Sequence, residues 1–157
     1  MVLVAAIAAL TVIKIREFTL LIGMPVETKP TPDRLEAELL NLVSSYKNGD
    51  LSLINISTIT TFTWEQLYIF GPYTTRSELD SMVGRSWRNN CSTHIENSDG
   101  ITLLVFINDG VVVHCLDYPR GENDFFVPPA GYQTGFSPQD AVFILDQLGR
   151  IVPVNTK

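Results

Sequence analysis

"CSTHIENSDGITLLVFINDGVVVHCLDY", residues 91–118, contains two Asp-Gly steps, at 99–100 and 109–110, and three runs around them. Asp-Gly is a strong hairpin signal, because the turn needs positive φ and Gly supplies it without strain. The stretch therefore reads as a three-stranded antiparallel meander: 91–97, 101–107 and 111–118. The middle run, Ile101 to Ile107, is apolar at almost every position, so both of its faces should be covered. With two-residue turns, Cys91 pairs near Asn108 and Cys115 near Leu104. That register separates their Cα atoms by roughly 15 Å, well beyond the ~7 Å reach of a disulfide. The reading predicts two free thiols.

The same meander limits the chemistry. His94, Glu96 and His114 are the candidates for acid–base work or metal binding. In the two-residue register the histidines flank Val105 about 10 Å apart, too far for both to hold one zinc at about 2 Å. In a three-residue register they fall on opposite faces. No metal site and no cofactor are expected. His94-Ile95-Glu96 puts an imidazole and a carboxylate on one face, but no nucleophile accompanies them, so no catalytic residue is assigned.

Before the meander, "LSLINISTITTF" (51–62) and "QLYIF" (66–70) read as strands. Gly71-Pro72 stops the second one, because Pro offers no ladder donor. Thr75 and Glu78 stand at capping-box spacing, Leu79, Met82 and Val83 form the apolar face of a short helix, and Gly84 caps it. Upstream, Thr31, Pro32 and Asp33 start a longer helix whose Leu35, Leu39, Leu42, Val43 and Tyr46 recur at helical spacing; Asn48-Gly49 ends it. Downstream, "AVFILD" and "RIVPV" form a last hairpin around Gln147-Leu148-Gly149. One helical turn at Ser137-Pro138 precedes it, although a helix over 138–148 fits the same residues. The expected fold is α+β: an antiparallel sheet of about five strands with one long and one short helix, in one domain spanning 32–157.

Two segments could carry a ligand. "GRSWRNN" (84–90) brings Arg85, Trp87 and Arg88 together, either to grip an anion or as a solvated turn anchored by Trp87. "PRGENDFFVPPAGYQTGF" (119–136) has three Pro, three Gly and four aromatics in 18 residues. Loops of that length without regular structure are usually functional or mobile. Phe125 and Phe126, beside Val127, should be buried, and Tyr132 should be exposed together with Arg120. Arg85, Trp87, Arg120, Phe125, Phe126 and Tyr132 are thus the binding candidates.

The N-terminus says where the domain sits. "MVLVAAIAALTVI" carries no charge until Lys14, and "FTLLIG" follows "KIRE". Thirteen helical residues span about 20 Å, short of the roughly 30 Å hydrocarbon core. Either the apolar run extends upstream of Met1, or a tilted helix continues to Gly23 with Lys14 and Arg16 snorkelling to the interface. A helix or strand of the core is the competing reading. No Cys lies near the run, so lipid attachment is not expected. Residues 24–31 hold Pro25 and Pro30, with Pro32 just beyond, and read as a stiff spacer. Segment 1–23 is thus expected to be a membrane anchor or export signal.

Charge bears on the partner class. The 157 residues include 17 acidic and 11 basic side chains, net −6. A surface this acidic repels phosphate backbones, so no nucleic-acid partner is expected. "FTWEQLYIFGPYTTRSEL" resembles a recurring segment of small uncharacterised bacterial proteins described as membrane-anchored or lipoprotein-like. Trp64, Tyr68, Phe70, Pro72, Tyr73 and Thr74 carry the resemblance, which covers about 20 residues. It implies a bacterial envelope protein and no particular activity. The leading expectation is a non-enzymatic binding or interaction module of the cell envelope, with an unknown protein or envelope component as partner. The alternatives are a small hydrolase-like enzyme using His94 and Glu96, and an intracellular acidic protein of immunity type.

Overall fold

Asn108 and Val111 face each other across Asp109-Gly110, whose φ values of 50° and 71° make the two-residue turn that Asp-Gly favours. In the computed structural model, which describes residues 32–49, 53–121, 123–127 and 135–154, this turn joins β3 (Ile101–Asn108) to β4 (Val111–Pro119). The register slips by one residue just past the turn. Ile107 faces Val112, but Phe106 faces His114, leaving Val113 as the extra residue of a bulge. On the other side of β3, β2 (Gln66–Phe70) pairs antiparallel with Tyr68 opposite Val105. From Thr102 to Ile107 every β3 residue is buried, as a strand covered on both faces must be.

The third strand of the expected meander does not form. After Gly84 the chain makes a single turn of helix, Trp87–Asn90, then an extended stretch, then a 3-10 turn at Ile95–Asn97. The polar residues here bond to side chains rather than to a strand: Thr93 Oγ1 donates to Asp117 Oδ1 (2.5 Å) and the His94 N–H to Asp117 Oδ2 (3.2 Å). Cys91 therefore lies over the sheet and not two strands away. The bulge also moves Cys115 from opposite Leu104 to opposite Val105, which turns it to the other face. Both changes bring the sulfurs together. Cys91 and Cys115 form a disulfide with Cα atoms 5.6 Å apart, so the expectation of free thiols was wrong.

A second sheet replaces the single one of about five strands. It consists of β1 (Ile54–Asn55), β5 (Val142–Leu145) and β6 (Ile151–Pro153), antiparallel, in the order β1-β5-β6. The run over 51–62 keeps only two strand residues among its described positions. Asn55 Oδ1 accepts from the Ser57 N–H (3.0 Å) and the Ser57 hydroxyl (2.8 Å), and Thr58 Oγ1 donates to the Asn55 carbonyl (2.7 Å). These local bonds win over the ladder and close a 3-10 turn at Ile56–Thr58. A single turn at 138–140 precedes β5, with the Ala141 N–H bonded to the Ser137 carbonyl (2.9 Å); the longer helix is not formed.

Two apolar layers cover the β2-β3-β4 sheet. On one face, helix α1 (Pro32–Lys47) buries Leu35, Leu39 and Val43 against Leu67, Ile69, Leu104, Phe106, Leu116 and Tyr118, together with Ile54 and Phe143 of the second sheet. On the other, α2 (Arg76–Val83) and the turn of helix at 87–90, here α3, pack Leu79, Val83 and Trp87 with Cys91 and Ile95 against Phe70, Leu103, Val105, Ile107 and Val112. The α2 capping box is complete: Thr75 Oγ1 accepts from the Glu78 N–H (3.3 Å), and Glu78 Oε2 accepts from the Thr75 N–H (2.7 Å). The anchor expected at 1–23, the spacer at 24–31 and the Thr31 cap lie outside the described residues. Among those residues, no helix is long and apolar enough to cross a membrane.

Candidate functional site

The turn Gly71-Pro72-Tyr73-Thr74 leaves β2 and swings α2 back over the sheet. Its geometry is set by Tyr73, a non-glycine residue at φ 62°, a conformation sparsely adopted by bulky side chains. The Tyr73 N–H donates to the Ile95 carbonyl (2.9 Å), and Thr74 Oγ1 donates to the Gly71 carbonyl (2.7 Å). The turn is thereby fastened to the 3-10 turn at 95–97. Between it, α2, α3 and the segment 91–97 lies a cleft of about 360 Å³. Leu79, Trp87, Cys91 and Ile95 supply its apolar lining, and Thr74, Ser92, Thr93 and Asn97 its neutral polar groups.

Charged groups at the cleft come in pairs. Arg76 Nε lies 3.3 Å from Glu96 Oε2. Asp80 takes the Trp87 indole N–H (2.9 Å) and both arms of Arg88 (3.1 and 2.5 Å), with Arg85 3.7 Å away. Partial desolvation pushes the Asp80 carboxyl up, but the Trp87 and Arg88 hydrogen bonds and the Arg88 and Arg85 charges outweigh it and hold it below its ordinary range. Arg88 and Trp87 are thus oriented by one carboxylate from the preceding helix. The disulfide and Asp117 fix the opposite wall to β4.

Of the sequence candidates, Trp87 is in this cleft and is almost wholly buried, the anchor of its turn. Arg85 reaches Asp80 from outside. His94 and Glu96 line the same cleft, but Glu96 is engaged by Arg76. His114 lies on the opposite face of the sheet against Phe62 (ring centroids 4.9 Å apart). Among the described residues, no group of three His, Cys, Asp or Glu side chains could hold a metal ion. Thr74, Arg76, Ser92, Thr93 and Asn97 were not foreseen as site residues, because only the fold joins residues 74–79 to 91–97.

The loop at 119–136 belongs elsewhere. Phe125 is buried edge-on between Tyr118 and Phe143 (5.3 and 5.4 Å). Phe126, expected to be buried, is 38% exposed and lies under the Arg150 guanidinium at 4.5 Å. Successive residues of an extended segment point opposite ways, so one inward Phe sends the next outward. Arg120 is exposed as expected, yet engaged: its Nε pairs with Asp124, and Nη1 donates to the Asp99 carbonyl (3.1 Å). Tyr132 lies outside the described residues. Arg120, Phe125 and Phe126 thus do not join Trp87 and Arg85 in one site. Comparison with known families, curated proteins and solved structures returns no match for this chain.

Proposed function

We propose that this chain is a non-enzymatic binding module of the bacterial cell envelope and that the cleft between α2, α3 and residues 91–97 is its ligand surface. The observation that carries this reading is the Cys91–Cys115 disulfide, which ties one wall of the cleft to β4. Disulfides persist in oxidising compartments and are rare where thiols are kept reduced. That favours the extracytoplasmic reading over the intracellular immunity-type one, and it suits the uncharged run at 2–13 as an anchor or signal. The cleft's polar contacts support binding over catalysis, since they orient side chains against one another. Glu96 in particular is held by Arg76 and not against the His94 ring.

Fractionation of cells expressing the full chain, with thiols trapped by alkylation at lysis, tests the proposal. The protein should appear in the membrane or exported fraction with both cysteines unlabelled, and a chain starting near Lys29 should fold in soluble form. Recovery from the cytosol with both cysteines labelled would overturn it.

A further inference from the structure

We infer that the outer face of the β1-β5-β6 sheet is a membrane-contact surface that lies on the bilayer holding the chain's anchor; the inference rests on the anchor reading of residues 1–23. Its starting point is the pattern of β5 and β6. Val142-Phe143-Ile144-Leu145 and Ile151-Val152-Pro153-Val154 are apolar at every position. A strand with one solvated face alternates apolar with polar, whereas an unbroken apolar run belongs to a strand covered on both faces. One face is accounted for: Phe143, Ile151 and, from β1, Ile54 are wholly buried in the layer shared with α1. The alternate positions point away from that layer. Val142 faces Asn55, Ile144 faces Val152, and the Val154 N–H donates to the Val142 carbonyl (3.0 Å). Val142, Ile144 and Val152 are half-buried, yet they belong to neither apolar layer of the described residues. Val154 and Leu53, the latter two positions before Asn55, are 44% and 45% exposed. Phe126 widens the face: Phe125 bridges Ile151 in parallel, the Phe126 N–H donates to the Ile151 carbonyl (3.0 Å), and the Phe126 ring lies on the Arg150 side of the sheet.

Size, tether and charge choose the occupant. Four neighbouring segments at ~4.8 Å spacing, each about 10 Å long, give a footprint of roughly 200 Å². A stable protein partner or second copy needs about 800 Å² per side. A tethered surface needs far less, because the tether already sets a high effective concentration. On the anchor reading, residues 24–31 reach at most about 30 Å. They join the chain at α1, which covers the same side of the β2-β3-β4 sheet as the second sheet does. Asn55, the polar side chain among these positions, turns its Oδ1 back to Ser57. The charges at one end of the face, Arg150 and Asp146, pair at 2.7 Å. In a chain of net −6, this face therefore brings no net negative charge to lipid phosphates. Arg150 lies over Phe126 at 4.5 Å, so its charged head can stay among headgroups while the ring meets acyl chains.

The test uses the oxidised full chain in phosphatidylcholine vesicles whose headgroups carry a nitroxide quencher. A fluorescent dye is placed either on Gln147→Cys, exposed at the tip of the β5–β6 hairpin, or on Arg85→Cys, exposed on the far side of the β2-β3-β4 sheet. The chain should float with the vesicles, and the dye at 147 should be quenched at least about threefold more than the dye at 85, as for a surface resting in the headgroups. Ile144→Thr with Val152→Thr keeps β-branched strand residues and should abolish that difference while the chain still floats. Flotation with equal quenching at the two sites in the wild type refutes the inference and leaves the anchor reading intact. A folded double variant that keeps the difference refutes it too. So does a dye at 147 that is shielded only as protein density rises, which gives the face to a second copy. A chain that does not float removes the anchor reading and the inference with it.

Discussion

Replacing both cysteines, Cys91→Ala with Cys115→Ala, separates the contribution of the disulfide from that of the surrounding packing. The cysteines are 24 positions apart, and closing a loop of that length in the unfolded chain is worth about 3.4 kcal/mol by chain entropy. The native segment keeps other attachments. Asn90 Nδ2 donates to the Val112 carbonyl (2.8 Å), Thr93 and His94 hold Asp117, Tyr73 holds Ile95, and Trp87 stays buried. The variant should therefore fold with the same sheet and lose about 3 to 4 kcal/mol of the roughly 5–15 kcal/mol typical of a domain.

Urea unfolding of oxidised wild type and variant, side by side, measures this. The midpoint should drop, and the slope should rise slightly, because an unfolded chain without the cross-link exposes more surface. Hydrogen exchange should speed up most at 91–97 and least in β3, which is buried on both faces. A midpoint shift worth less than about 0.5 kcal/mol would refute the reasoning. So would mass spectrometry of the unfolded, unreduced, alkylated wild type showing label on both cysteines. The bulge at Val113 that turns Cys115 toward Cys91 would then be wrong.

Further outcomes are expected from single substitutions. Phe125→Ala should cost about 3 to 5 kcal/mol by cavity formation, whereas Phe126→Ala, exposed beneath Arg150, should cost about 1 kcal/mol or less; denaturant midpoints decide. Thr75→Ala should remove about 1 kcal/mol by breaking the α2 capping box, read as a shift in Tm. Bonds from the Thr75 N–H and hydroxyl hold the Glu78 carboxyl below its ordinary value. Its stabilisation is therefore present above the unfolded pKa of about 4.3 and lost as pH falls through the lower folded value. Glu78→Gln should flatten the acid limb of a Tm-against-pH curve. Burial, reinforced by the charges of Asp124 and Glu36, pushes Tyr118 up to about 12. The stability it confers should be complete below pH ~10 and fall between there and about 12, a loss that Tyr118→Phe should remove from an alkaline unfolding titration.

The elements that could be read from the sequence are those decided within a few residues. The Asp109-Gly110 turn needs positive φ, the Thr75–Glu78 pair sits at capping spacing, and the stripe from Leu35 to Val43 buries on one sheet face. Each signal and its consequence lie within one element, and no distant contact competes. Residues 51–62 show the limit of that logic. Their β-branched side chains favour a strand, but Asn55, Ser57 and Thr58 bond to one another and to nearby backbone, and Thr60 Oγ1 takes the Trp64 indole N–H (2.9 Å). Propensity saw the side chains' shape and missed their hydrogen bonds.

The cleft and its disulfide were hidden for a different reason. Whether Cys115 faces Cys91 depends on parity along β4, and one inserted residue reverses it. Val111-Val112-Val113 offers no local mark for where that residue falls, since any of the three could be the extra one. The slip is settled by what the two faces must bury. With Val113 left out of the ladder, Val112 packs under α2 and α3 while Leu116 and Tyr118 turn to the α1 side; without it, one of these sets goes to the wrong layer. The same parity sets Asp117 beside Thr93 and His94, so the bulge that closes the disulfide also anchors the wall of the cleft. Fold and candidate site thus share one non-local cause. Deleting Val113 should therefore remove the bulge alone: the ladder becomes regular with Cys115 still opposite Val105 and Asp117 opposite Leu103, so the Cys91–Cys115 disulfide and the Asp117 bonds to residues 93–94 should both persist, and their loss would refute this account of the register.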